Sequence, residues 1–175
     1  GRVFIPNKEL MGSYAAMMKK EKSLGYIYRL ANLSEQMLQA TLAGDTGTMT
    51  QIIQYAHNTE VPILSYNNET ELSAIVNLVY LSARDRYRVE REDRAGKGYV
   101  DFIFYPLRAD QDGIILELKV NQTPDDAIAQ IKEREYALRF KGKLAEKTVH
   151  TGRILAVGIG YNKVTKEHAC KVEEL

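Results

Sequence analysis

Residues 96–130 read GKGYVDFIFYPLRADQDGIILELKVNQTPDDAIAQ, two apolar strands joined by a short turn and followed by a helix start. Alternation puts Asp101, Ile103 and Tyr105 on one face of the first strand, with Phe102 and Phe104 on the other. In the second strand Ile114, Leu116, Leu118 and Val120 share one face, while Ile115, Glu117 and Lys119 share the opposite one. A strand this apolar belongs inside a sheet covered on both sides. A carboxylate and an ammonium two residues apart in such a strand are expensive to bury unless they are used or paired. If the strands pair across the turn at 109–113, Asp101 lies beside Glu117. The outcome is an acid–acid–lysine cluster in a mostly apolar setting.

Outward from this stretch, Thr123 followed by Pro124, Asp125 and Asp126 is a strong helix start. The helix is expected to run to about Phe140, with Ala127, Ile128, Ile131, Ala137 and Leu138 facing inward. A charged loop over 141–151 leads to an apolar strand at 153–161 carrying Gly158 and Gly160. A turn at 162–165 leads to a final strand at 166–172. Upstream, 87–92 alternates weakly as a strand, and 93–98 turns into the Asp101 strand. Before it, Asn67 or Asn68 caps a helix to about Arg86 with Leu72, Ile75, Val76, Val79 and Tyr80 as its apolar stripe. Glu69 and Glu71 fall in its first turn, where they complement the helix dipole.

Residues 1 to about 60 read as helices. Asn7 caps one through Leu10, Tyr14, Met17 and Met18; residues 24–33 make a second; Ser34 caps a third with Met37, Leu38 and Leu42, ending at Gly44. Thr46 or Thr48 opens a fourth with Ile52, Ile53 and Ala56 on one side. His57 stands alone there and is read as packing or surface. Pro62 discourages helix through 61–64, and the composition shifts there. We expect a small helical subdomain at 1–62 and an α/β domain at 63–175, ordered helix, three strands, helix, two strands.

With 175 residues, 45% hydrophobic and 27% charged, the chain can bury one sizeable core. A net charge of +1 gives no bulk pull toward nucleic acid, so any basic surface is local. A single cysteine, Cys170, excludes an internal disulfide framework and fits a reducing, cytoplasmic setting. No apolar run reaches the length of a membrane span, and no signal-peptide pattern opens the chain. An opening Gly1 in place of Met leads us to expect a fragment with neighbouring domains.

Two carboxylates on adjacent strands are hard oxygen ligands, suited to Mg²⁺ or Mn²⁺ and not to zinc. A divalent ion held this way binds a phosphate oxygen and activates water. Lys119 could orient that water or neutralise charge growing on the phosphorane. No histidine or cysteine is placed to make a zinc hydrolase or a thiol nucleophile, and there is no Gly-rich loop ending in Lys–Ser/Thr. An acid-x-Lys triplet arises by chance about once or twice in a chain of this length. Glu117–Leu118–Lys119 is the sole one here, and it falls in the most buried-looking strand. The competing reading is a buried ion pair, or a strand whose charged face reaches solvent.

The combination GKGYVDFIFYP, IILELK and AIAQIKEREY resembles the PD-(D/E)xK nuclease superfamily. More narrowly, it is similar to the nuclease-like domain that follows an AAA-ATPase-like domain in many bacterial proteins, and VFIPNKEL resembles the segment joining the two. The resemblance implies a restriction-endonuclease-like mixed sheet flanked by helices, a Mg²⁺ (or Mn²⁺) cofactor, and a nucleic-acid partner, DNA before RNA. It also implies an AAA-ATPase-like domain upstream in the full-length protein. By position, Asp101 matches the metal-binding aspartate, and Glu117 and Lys119 match the acid and lysine of the (D/E)xK element. The Leu118 carbonyl is implied as a further ligand. Glu69, in SYNNETEL, resembles the acid contributed by the first helix. Gln130 and Tyr136 resemble the glutamine and tyrosine that support the site or touch substrate. Val100 stands where the family name expects proline, and the Gln130–Tyr136 interval is wider than in the RecB-like version.

Arg84, Arg86, Arg88, Arg91, Arg94 and Lys97 crowd the approach to the Asp101 strand and are candidates for phosphate contacts, Arg94 and Lys97 foremost. They are interleaved with Asp85, Glu90, Glu92 and Asp93, which is equally the pattern of a solvated mixed-charge face. The leading expectation is a metal-dependent nuclease. The alternative is a catalytically weak or inactive nuclease-like binding or regulatory module serving an upstream ATPase.

Overall fold

The computed structural model describes residues 22–60, 69–91, 100–134, 137, 140 and 150–175. In chain order these form α1 (Lys22–Ala43), α2 (Thr46–Glu60), α3 (Glu69–Val79), a 3₁₀ turn (Leu81–Asp85), β1 (Tyr87–Arg91), β2 (Phe102–Pro106) and β3 (Gly113–Val120). Then come α4 (Pro124–Glu133), β4 (Ile154–Asn162) and β5 (Glu167–Glu174). The helix expected from Asn7 lies outside the described residues.

The strands form one mixed sheet in the order β1-β2-β3-β4-β5. Neighbours run antiparallel except β3 and β4, which are parallel. That parallel pair requires a crossover, and α4 lies in the connection. The fold is therefore the restriction-endonuclease-like mixed sheet flanked by helices. Among the described residues, no helix is long and apolar enough to cross a membrane.

The alternation read from the sequence sorts the side chains. Phe102, Phe104, Ile114, Leu116 and Leu118 face α1–α3 and join Met37, Leu38, Met49, Ile53, Leu72 and Val76 in the larger core. Ile103, Tyr105 and Ile115 face the other way and pack with Val100, Ile128, Ile131 and Phe140. Val100, standing where a proline was expected, is fully buried in this second cluster. Helices from both sides of residue 62 thus share the larger core with the sheet.

Four helix boundaries differ from expectation. The helices expected at 24–33 and from Ser34 are one continuous α1. Ser34 caps nothing in its own helix; its buried hydroxyl donates to the Ala31 carbonyl at 3.2 Å and accepts the Ser82 N–H at 3.0 Å. That same bond helps end α3 at Val79 instead of Arg86, because the Ser82 N–H turns to α1 and the chain continues as 3₁₀. Tyr80, at the junction, buries its ring and shares a 2.7 Å hydrogen bond with Thr41. Finally α4 ends at Glu133, well short of Phe140. The start of α2 is capped by Asp45, whose carboxylate accepts the Thr48 N–H and hydroxyl, and not by Thr46 or Thr48.

His57 is not isolated. Its ring lies 5.1 Å from Tyr161 and 5.0 Å from His168, so α2 packs on β4 and β5 through edge-to-face rings.

Candidate active site

The β2–β3 ladder pairs Phe102 with Leu116, Ile103 with Ile115 and Phe104 with Ile114. One step further along this register, Asp101 comes opposite Glu117. Asp101 sits in a bend just before β2 and not within the strand as expected. There its carboxylate Oδ2 accepts the Leu118 N–H at 2.8 Å, taking a donor that a longer β2 would have used.

Glu117 and Lys119 project from β3 toward α4, on the face of Ile115. Their side chains are 5% and 13% exposed. Lys119 Nζ donates to Glu117 Oε1 at 3.0 Å and to Gln130 Oε1 at 2.6 Å. Gln130 Nε2 donates to the same Glu117 Oε1 at 2.5 Å. The three side chains close a triangle that satisfies both ends of the Gln130 amide. Glu117 Oε2 is buried with no hydrogen-bond partner among the described residues. Burial pushes the Glu117 carboxyl up to about 7, and the charge of Asp101 adds to the rise; Lys119 only partly offsets it.

Gln130 reaches this triangle because α4 starts in close contact with the sheet. The capping box of Thr123 and Asp126, with Pro124 at the first position, fixes where the helix starts. Glycines stand beside the two charged residues in the next strand: Gly158 pairs with Glu117, and Gly160 pairs with Lys119. A Cβ at Gly158 would lie 2.3 Å from the Pro124 carbonyl oxygen, and one at Gly160 2.9 Å from that of Gln122. Any larger residue would lift the start of α4. These glycines are the positioning residues that motif reading passed over, although a Gly-x-Gly inside an otherwise apolar strand was a visible signal.

Asp101, Glu117, Lys119, Gln130 and the Leu118 backbone are therefore brought together. Glu69 opens α3, but its side chain lies outside the described residues. Tyr136, Arg94 and Lys97 lie outside them entirely. Among the described residues no group of three His, Cys, Asp or Glu side chains is gathered. Of the arginines near β1, Arg86 is tied to Glu35 at 2.5 Å, Arg84 bonds Asn77, and Arg91 lies over Phe102 on the opposite face. Arg88 alone shares the site's face, stacked 5.0 Å from the Tyr105 ring centre and paired with Glu90. Of these four, Arg86 and Arg88 pair with carboxylates, while among the described residues Arg84 and Arg91 do not.

The family profile of the PD-(D/E)XK nuclease superfamily matches residues 67–159, just over half of the 175-residue chain. The chain belongs to this superfamily. The matched segment holds Asp101, Glu117, Lys119, Gln130 and Gly158, and ends one residue before Gly160. No curated protein matches the chain. The PD-(D/E)XK assignment makes this a nuclease-like domain, and members of the superfamily typically use divalent metals.

Proposed function

We propose that this domain is a Mg²⁺- or Mn²⁺-dependent nuclease hydrolysing phosphodiester bonds, with DNA as substrate before RNA. The observation that supports it is the state of Glu117: one carboxylate oxygen is held by Lys119 and Gln130, and the other is buried, unpartnered among the described residues, with Asp101 close by. Two crowded carboxylates raise each other's cost of ionising, and a hard divalent cation offsets that cost with the oxygen donors it prefers. Asp101 and Glu117 would hold the ion, with Glu69 and the Leu118 carbonyl as further ligands. When bound, such an ion supplies Lewis acidity and neutralises phosphate charge.

The remaining work falls to the chain. Lys119, fixed by two acceptors, keeps an N–H to orient the attacking water or to meet negative charge growing on the phosphate. Gln130 acts through Lys119 and Glu117 as a positioning residue. Substrate contacts are assigned to Tyr136, Arg94 and Lys97. In the full-length protein we place an AAA-ATPase-like domain upstream.

The test is incubation of the protein with duplex DNA, single-stranded DNA and RNA in Mg²⁺ or Mn²⁺. Wild type should cleave, and Asp101→Ala and Lys119→Ala should each lose roughly 100-fold or more. Cleavage that survives Asp101→Ala overturns the metal assignment. A folded wild type that binds nucleic acid without cutting it supports the binding-module alternative instead.

A further inference from the structure

We infer that the β4–β5 hairpin tip, residues 163–166, is a DNA-contacting element beside the site: Lys163 and Lys166 meet phosphates, and Val164 makes an apolar contact at the apex. The inference rests on the nuclease reading and deepens it.

Charge is the first argument. Five lysine side chains are described, and Lys119, Lys132 and Lys171 each pair with a carboxylate. Lys163 and Lys166 have no ion-pair partner among the described residues. The molecule's net charge is only +1, so two uncompensated cations on one short turn form a local basic spot. Between them Val164 is 88% exposed, more than any other large hydrophobic residue described. An apolar side chain at the apex of a turn, flanked by cations, gains nothing from water; it suits a surface that is anionic at its rim and apolar within, which a nucleic-acid groove provides.

Position is the second. The Lys163 N–H donates to Asn121 Oδ1 at 3.0 Å, and the Asn121 N–H donates to the Tyr161 carbonyl at 2.8 Å. The tip is thereby clamped to the end of β3, two residues past Lys119. At about 3.3 Å per strand residue that is roughly 7 Å from the Lys119 backbone. DNA lying on the site would advance only about two nucleotide steps over that distance, at about 3.4 Å of axis per step in each strand.

Rigidity is the third. Asn162 Oδ1 accepts the N–H groups of Val164 and Thr165 at 2.8 and 3.1 Å, and its carbonyl accepts that of Lys166 at 2.9 Å. Both Asn121 and Lys166 are held at positive φ, 59° and 63°, a conformation uncommon outside glycine and more readily adopted by Asn than by Lys. The turn therefore presents its backbone in a fixed arrangement, and only the side chains remain to be ordered on binding.

Duplex DNA binding followed by fluorescence anisotropy across a salt series tests this, with Ca²⁺ in place of Mg²⁺ so that substrate survives. For Lys163→Ala/Lys166→Ala the slope of log affinity against log salt should become shallower by about 1.8, at about 0.9 per phosphate. Lys163→Arg/Lys166→Arg should retain the wild-type slope. Val164→Ala should weaken binding at an unchanged slope, since an apolar contact releases no counterions; unchanged affinity overturns the Val164 contact. A wild type that binds, with an alanine pair of unchanged slope, overturns the hairpin inference alone. A wild type that does not bind duplex DNA overturns the hairpin inference and the choice of duplex DNA as substrate, while cleavage of RNA or single-stranded DNA would leave the nuclease reading standing.

Discussion

Glu117 is held in a position that its charged form resists. Burial and the neighbouring Asp101 lift its carboxyl to about 7. A carboxyl whose folded value exceeds its ordinary one contributes stability that is complete at low pH and is lost as pH rises toward the folded value. From 4.5 to about 7 the loss is on the order of 3 kcal/mol. His57 and His168, both depressed by burial, act oppositely, with stability gained as pH rises through the same region. The effect is therefore read as a difference. In metal-free buffer Glu117→Gln should melt above wild type at pH 8, and the gap should close toward pH 5. Mg²⁺ should raise the wild-type melting temperature at pH 8 and leave that of Glu117→Gln nearly unchanged. A gap that does not vary with pH would count against an ionised, crowded Glu117. This residue was legible from its chain position, because an acid and a lysine in an apolar strand must be paired or used. Its third partner, Gln130, was reached only through family resemblance: nothing in the periodicity of α4 singles out a polar residue at its boundary.

Helix α4 carries Gln130 to the site, and the glycines of β4 set its height above the sheet. Gly158→Ala should destabilise the fold by about 1–3 kcal/mol through forced overpacking, and should reduce cleavage further than the stability loss accounts for. Gly160→Ala, with its longer 2.9 Å approach, should do less. Chemical denaturation alongside a cleavage assay checks both; equal, small effects would mean that α4 adjusts freely. The start of α4 was legible because Thr123, Pro124 and Asp126 each carry a local signal. Its end was not, since the apolar spacing continues to Leu138 while the helix stops at Glu133. Ser34 shows the same limit at α1. A serine before an apolar run reads as a cap, and only the tertiary fold reveals that its hydroxyl serves the Ser82 N–H on another element. Ser34→Ala should therefore cost about 1–3 kcal/mol, more than an exposed helical serine would, because it strands a partly buried N–H.

For the molecule as a whole, α1 and α2 are part of what covers the sheet. Met37, Leu38, Met49 and Ile53 sit in one cluster with Phe102, Leu116 and Ile159. Removing residues 1–60 should leave that face covered by α3 alone, giving a product that binds hydrophobic dye and lacks a cooperative melt. Sedimentation and calorimetry of the truncated protein would show this, and a soluble, sharply melting product would establish 63–175 as an independent unit. The succession of strands along the chain and the two-sided burial of β3 were readable from alternation and turn signals, which depend only on neighbours in the chain. The sharing of one core between the first helices and the sheet was not, because amphipathic spacing shows that a face is buried and leaves open what buries it.

Among the described residues the two sides of the sheet are unequally roofed. Three helices lie over the face away from the carboxylates, while α4, ten residues long, together with Phe140 covers the face that holds them. Amide hydrogens of α4 should accordingly exchange with solvent sooner than those of α1 to α3, through excursions far smaller than global unfolding. The reacting groups would then be reached by a brief loosening of one short segment, while the thicker layer behind them stays closed.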